Sequence, residues 1–207
     1  MPIEIEPLLD PATTAVVVFE CQQGILGPES PLPGLAEAAR EGNVLVRLGQ
    51  LLGAAREAGV KVFYVTVAKR GDGLGRAFNT PIERRVRTSS GEAFDAGPVC
   101  REVAPQPGEL VIAREHGLTG FYESGLDSYL RNTGVRNIVL GGVSVNLGIF
   151  GTAVEAVNRG YAVVVPRDCV AGDPPEFAEQ MLRYSLRNIA FLTSAEDIAG
   201  VWGVRAL

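Results

Sequence analysis

Short uninterrupted apolar runs alternate along the chain with stretches in which apolar residues recur every three or four positions. The runs are TAVVVFE (14–20), VKVFYVTV (60–67), ELVIAR (109–114), RNIVLGG (136–142), YAVVVP (161–166) and a short AFLTS (190–194). Most are apolar on both faces, as strands covered from both sides must be. Between them, Val44, Leu48, Leu51, Leu52 and Ala55 share one helical face, as do Phe177, Met181, Leu182, Leu186 and Ile189. This alternation predicts an α/β fold: a doubly wound, mainly parallel six-stranded sheet with helices on both faces. Glycine recurs where a helix hands over to a strand, in REAGVKVFYV, RNTGVRNIVL and VNRGYAVVV, because it ends helices in the left-handed conformation. The segment 71–108, rich in Gly, Arg, Ser and Pro, has no clear periodicity and is expected to form a long excursion over a site or a subunit contact. In PRDCVAGDPPEF (166–177), Asp173 is expected to cap a long last helix opened by Pro174 and Pro175, with Cys169 structural. No composition shift marks a second domain, so 1–207 is read as one.

In an open parallel sheet, ligands bind beyond the carboxyl ends of the strands. That rule gathers Glu20 and Cys21 after the first strand, Lys69 and Arg70 after the second, and Arg114 to His116 after the third. Ser144 to Gly148 follow the fourth, and Asp168 and Cys169 the fifth.

Composition narrows what such a crevice does. The chain has 207 residues, 46% of them hydrophobic, enough for a sizeable core. Nineteen basic against 24 acidic residues leave a net charge of -5, which opposes a phosphate-tracking surface, so no nucleic-acid partner is expected. No apolar stretch approaches the ~20 residues of a membrane span. The opening MPIEIEPLLDPATT lacks the basic and apolar regions of a secretory leader, which reads as a cytoplasmic protein with no membrane partner. Three widely spaced cysteines without a CxxC pair indicate neither a disulfide framework nor zinc, and a single histidine gives no metal site. Without GxGxxG or a P-loop, no cofactor is expected.

The stretch AVVVFECQQG (15–24) ends an apolar run on an acid. Desolvation there raises the pKa of Glu20 toward neutrality, while a nearby Arg114 pulls the other way. Arg114 either grips a substrate carboxylate or closes an ion pair with Glu20. In a continuing strand Cys21 points to the opposite face, as a packed small hydrophobe. Lys69 and Arg70 hold a second carboxylate or are merely solvated. His116 shuttles protons or sits at the surface. Gln22 orients Glu20 or bonds backbone. The turn Val143 to Leu147, with Ser144, Val145 and Asn146, precedes a helix starting near Asn146, and its backbone N–H groups suit an anion; Asn146 also fits an N-cap. Ser144 has no base to activate it.

Three segments carry a family resemblance: VVVFECQQG (16–24), VIAREHGLTGFYESGLDSYLRNTGVRNIVLGGV (111–143) and GVSVNLGIFGTAVEAVNRGYAVVVPRD (142–168). They resemble the isochorismatase-like hydrolases, a family that includes nicotinamidases and related cysteine hydrolases, over roughly 13–194. The resemblance places the family's Asp on Glu20, its Lys on Arg114 and its nucleophilic Cys on Gly148. Glycine cannot form the covalent intermediate of the amidases, and Cys21 lies at another strand end. Glycine at that position resembles the isochorismatases proper, which cleave a vinyl ether and release pyruvate. The resemblance therefore implies a cofactor-independent hydrolase of a small anionic substrate with Glu20 as general acid or base, and space left at Gly148 for substrate or water. It also implies a cis bond before Ser144 and a homodimer or homotetramer. Two alternatives stand beside it: a catalytically silent relative that binds a small ligand or partner, and an amidase with an unconventional mechanism.

Overall fold

A computed structural model of the chain describes residues 4–91 and 94–204; residues 92 and 93 of the excursion, and 1–3 of the opening stretch, lie outside the described residues. The strands are β1 (Thr14–Phe19), β2 (Lys61–Val67), β3 (Leu110–Arg114), β4 (Asn137–Val143), β5 (Ala162–Pro166), β6 (Val170–Ala171) and β7 (Phe191–Thr193). The helices are α1 (Gln23–Leu26), α2 (Pro33–Glu41), α3 (Val44–Glu57), α4 (Pro81–Ser90), α5 (Leu126–Asn132), α6 (Phe150–Asn158), α7 (Pro175–Gln180) and α8 (Ala195–Val201). The sheet runs β3-β2-β1-β4-β5-β7, with β6 beside β4, and its strand pairs are parallel.

Strand β1 is central because its β-branched run, Val16 to Val18, tolerates burial on both faces; all six of its residues are buried. Val16 and Val18 face a core with Leu48, Leu51 and Leu52 of α3 and Ile198 of α8. Ala15, Val17 and Phe19 face the other, with Leu126 and Leu130 of α5 and Ala153 and Ala156 of α6. Full burial of each such leucine contributes about 1.5–3 kcal/mol. A third cluster, Ile25, Leu35, Ala39, Val44 and Val143 among it, roofs the carboxyl end of the sheet under α1 and α2. Gly59, Gly134 and Gly160 have φ of 74°, 78° and 88°, the left-handed helix ends that their sequence positions predict.

The structure corrects the sequence reading in three places. Seven strands are present among the described residues rather than six, since after the turn Arg167–Cys169 the chain re-enters the sheet for the two residues of β6, too few to leave a pattern. The long last helix is broken: α7 gives way to a π turn, Met181–Ser185, and a 3-10 turn, Leu186–Asn188. The wider turn adds a residue and rotates the apolar face, so Leu182 and Leu186 are buried whereas Phe177 is 43% exposed. Asp173 does not cap that helix; Pro174 holds the cap position without a side-chain bond, and Asn146 donates to the Asp173 carbonyl (3.0 Å). The excursion contains α4, capped by Thr80 Oγ1, which accepts from the Glu83 N–H (3.2 Å).

Candidate active site

At the end of β1 the chain turns sharply. Glu20 still donates its N–H to the Val65 carbonyl (2.9 Å), but its φ is 53°, a left-handed conformation uncommon for a residue with a side chain. The turn aims the carboxyl into a cavity, while Cys21, 1% exposed, packs into the α3 side of the core. Burial pushes Glu20 up to about 7, against the lowering charges of Arg114 and Lys69; the carboxylate of Glu83 adds to the rise.

Arg114 ends β3, two strands from Glu20, and reaches across the sheet end over the face of Phe19, its Cζ 5.5 Å from the ring centroid. One terminal nitrogen donates to Glu20 Oε1, the other to the carbonyls of His116 (3.0 Å) and Gly117. Its side chain is 2% exposed and that of Glu20 is 20%. The fork is thus committed to protein acceptors, and a bidentate grip on a substrate carboxylate is not on offer. What Arg114 supplies at the cavity is a fixed positive charge against Glu20.

Above this pair lies a second row of charges. Lys69 donates to the Glu115 carbonyl (2.8 Å) and stands 3.6 Å from Glu83 Oε1; Arg76 stands 3.7 Å from Glu83 Oε2. Glu20, Lys69, Arg76, Glu83 and Arg114 line a cavity of about 100 Å³ with Ser144 and Gly148, walled by Ile25, Leu35, Val86 and Phe94. An adjoining cavity of about 380 Å³ shares Lys69, Glu83, Gly117 and Leu118 and adds Asn79, Thr80, His116 and Tyr122. Another cavity, about 590 Å³, lies along α2 and α3, and none of the candidate residues lines it.

Several residues gathered by topology are not at the cavity. Gln22 is 3% exposed and its amide bonds backbone only, donating to Val67 O (3.0 Å) and Gly97 O (2.8 Å) and accepting from Val67 N–H (2.7 Å). Arg70 pairs with Asp72 on an exposed turn (2.7 Å). His116 is exposed and reaches the outer cavity only. Val145 is a core residue, and Asn146 lines a neighbouring cavity of about 260 Å³. The expected turn Val143 to Leu147 into a helix near Asn146 is instead a π turn, Val145–Ile149, in which the N–H groups of Leu147 and Ile149 both donate to Ser144 O (3.2 and 2.9 Å), so those two amides do not face an anion. The Val143–Ser144 bond is cis. Asp168 accepts from Ala195 N–H (2.9 Å), tying α8 to the sheet, and Cys169 is fully buried. Burial raises all three thiols, Cys100 to about 11. Among the described residues no group of three or more His, Cys, Asp or Glu side chains suits a metal.

Position 148 carries the largest correction. A Cβ built there would stand 2.3 Å from Phe19 Cε1. The glycine therefore does not leave room beneath the cavity; the ring of Phe19 already fills it.

The Isochorismatase domain profile matches residues 14–197, the span that holds every strand and the whole cavity. The chain belongs to the isochorismatase family. Among relatives, it is similar to the ureidoacrylate amidohydrolase RutB of Pseudomonas syringae pv. syringae (strain B728a), 28% identical over 215 residues, covering 95% of this chain and 87% of that protein. It is also similar to the isochorismatase family protein YecD of Escherichia coli O157:H7, 31% identical over 193 residues, covering 92% and 96%. Among solved structures, a cysteine hydrolase from Pseudomonas syringae pv. phaseolicola 1448A superposes with a TM-score of 0.76 at 23% identity, covering 98% of this chain and 95% of that one. This isochorismatase-family chain is thus a hydrolase-fold protein with a charged crevice at the expected strand ends. Sequence reasoning missed Arg76 and Glu83. Their signal was the string Thr80-Pro81-Ile82-Glu83, a cap, a first-turn proline and a third-position acid that together announce a helix.

Proposed function

We propose that this family member hydrolyses a vinyl ether or related bond in a small anionic substrate, with Glu20 as general acid and without a covalent enzyme intermediate, in a single domain spanning 1–207. The observation that carries the reading is a carboxyl facing the cavity with a pKa of about 7, beside a position that holds no side chain. At neutral pH about half of such a group is protonated, which is the condition for delivering a proton. Glu20 gives its proton to the enol carbon, and the ether becomes an oxocarbenium ion. Water adds to that cation, returning its proton to the Glu20 carboxylate, and the resulting hemiketal collapses into a carbonyl product and an alcohol. Lys69 offers positive charge to the substrate anion, and Arg114 holds Glu20 in place.

Expected for isochorismate, followed by pyruvate release, is turnover that Glu20→Gln lowers at least ~100-fold and that falls as pH rises through about 7. Equal rates for both proteins would sink the acid role. A second reading is favoured by the amide-hydrolysing names of the RutB relatives: ionised Glu20 as a base that activates water against an amide. That route predicts the opposite slope, activity rising through about 7, on a ureidoacrylate-type amide. No turnover on either substrate class, with ligand binding retained, would leave a silent binding protein.

A further inference from the structure

We propose that Phe19 is a positioning residue that fills the space a side chain at position 148 would take, behind the cavity wall, and so commits this site to chemistry without a side-chain nucleophile. The functional half of this statement rests on the thiol-free reading above; the packing half stands on geometry alone.

Phe19 is fully buried. Its ring edge occupies the volume in front of Gly148, where an added Cβ would meet Cε1 at 2.3 Å and Cδ1 and Cζ at 3.1 Å. Near Cε2 lies Gly120, where an added Cβ would stand at 3.5 Å, and the Gly120 N–H donates to Thr152 Oγ1 (2.9 Å). One ring face carries the Arg114 guanidinium. The root of the side chain is fixed as well, because Phe19 is paired with Val65 of β2 and Gly142 of β4, and an added Cβ at Gly142 would stand 2.1 Å from Phe19 O. Two glycines, Gly148 and Gly120, thus flank one large ring while a third, Gly142, meets its backbone, which is how a packed interior fits a side chain of this volume. A glycine at 148 is then the partner of Phe19, and a single change there cannot restore a thiol.

The experiment is a double-mutant cycle read by melting temperature and by thiol alkylation, with no substrate needed. Wild type supplies a silent background, since Cys21, Cys100 and Cys169 are 1%, 2% and 0% exposed and react slowly with a maleimide in the native state. Gly148→Cys is expected to lower Tm by about 5–10 °C, the overpacking range for a domain of this size. Introduced into Phe19→Val, the same Gly148→Cys change costs little further, and the new thiol, now at the cavity, alkylates at least ~10-fold faster than any native one. Gly151→Ala, whose added Cβ meets Thr119 Cγ2 at 2.8 Å rather than Phe19, is the control that Phe19→Val does not rescue. If Gly148→Cys is insoluble, Gly148→Ala replaces it, and recovery of soluble protein in the double variant counts as rescue. A single Gly148→Cys variant with wild-type Tm and rapid alkylation would overturn the proposal, as would absence of rescue or rescue of Gly151→Ala as well. A rescued but unreactive thiol would overturn the placement of position 148 at the cavity. Loss of hydrolysis by Glu20→Gln is read separately, so failure of either claim leaves the other standing.

Discussion

The carboxyl of Glu20 faces the crevice, and its burial makes folding stability depend on pH. Desolvation raises Glu20 from an ordinary 4.5 to about 7 although Arg114 donates to it. As pH climbs between those values, the unfolded chain releases this proton first, so the contribution to folding stability is complete below about 4.5 and is lost by about 7. The loss approaches about 3 kcal/mol. Stability of wild type minus that of Glu20→Gln should therefore fall between pH 5 and 7.5 and level off above. Parallel melting curves for the two proteins across that range would remove the perturbed carboxyl. Sequence made Glu20 legible because an acid closing an apolar strand is conspicuous. It did not reveal that the residue turns left-handed, nor that the Gln22 amide bonds backbone 45 and 75 residues away, nor that Arg70 folds back onto Asp72 and His116 reaches only the outer cavity.

At the scale of elements, strands were easier to read than the segment that covers them. Six apolar runs became six strands within a residue or two of their predicted ends. The excursion defeated periodicity because α4 is polar on most of its surface, with Val86 its one buried residue. Its anchor is local chemistry: the Thr80 cap and the bridges from Glu83 to Lys69 and Arg76. Thr80→Ala should weaken α4 by ~1 kcal/mol, seen as amide exchange about fivefold faster over 81–90 with β1 unchanged. Equal protection in both proteins would mean that packing, not the cap, holds the helix. The π turn at Met181–Ser185 escaped the reading for another reason, since an inserted residue leaves composition unaltered while rotating Phe177 outward.

For the whole molecule, the family's sheet order brings Glu20, Lys69, Arg114 and Gly148 to one end, as the strand-end rule requires. Among the described residues no helix is long and apolar enough to cross a membrane. Assembly is a prediction at this scale: the proposed homodimer or homotetramer gives a light-scattering mass of two or four times 21.9 kDa at micromolar concentration. A mass of one chain would refute it. By itself the sequence determined the strands, the glycine helix ends, the family and the acid at the first strand's end, because each is written in residues close together along the chain. Only the tertiary structure decided that Arg114 is committed to Glu20 and two carbonyls, that Arg76 and Glu83 join the cavity wall, and that Phe19 fills the space before Gly148. Those facts depend on side chains from different strands meeting at one depth, and no spacing along the chain records depth.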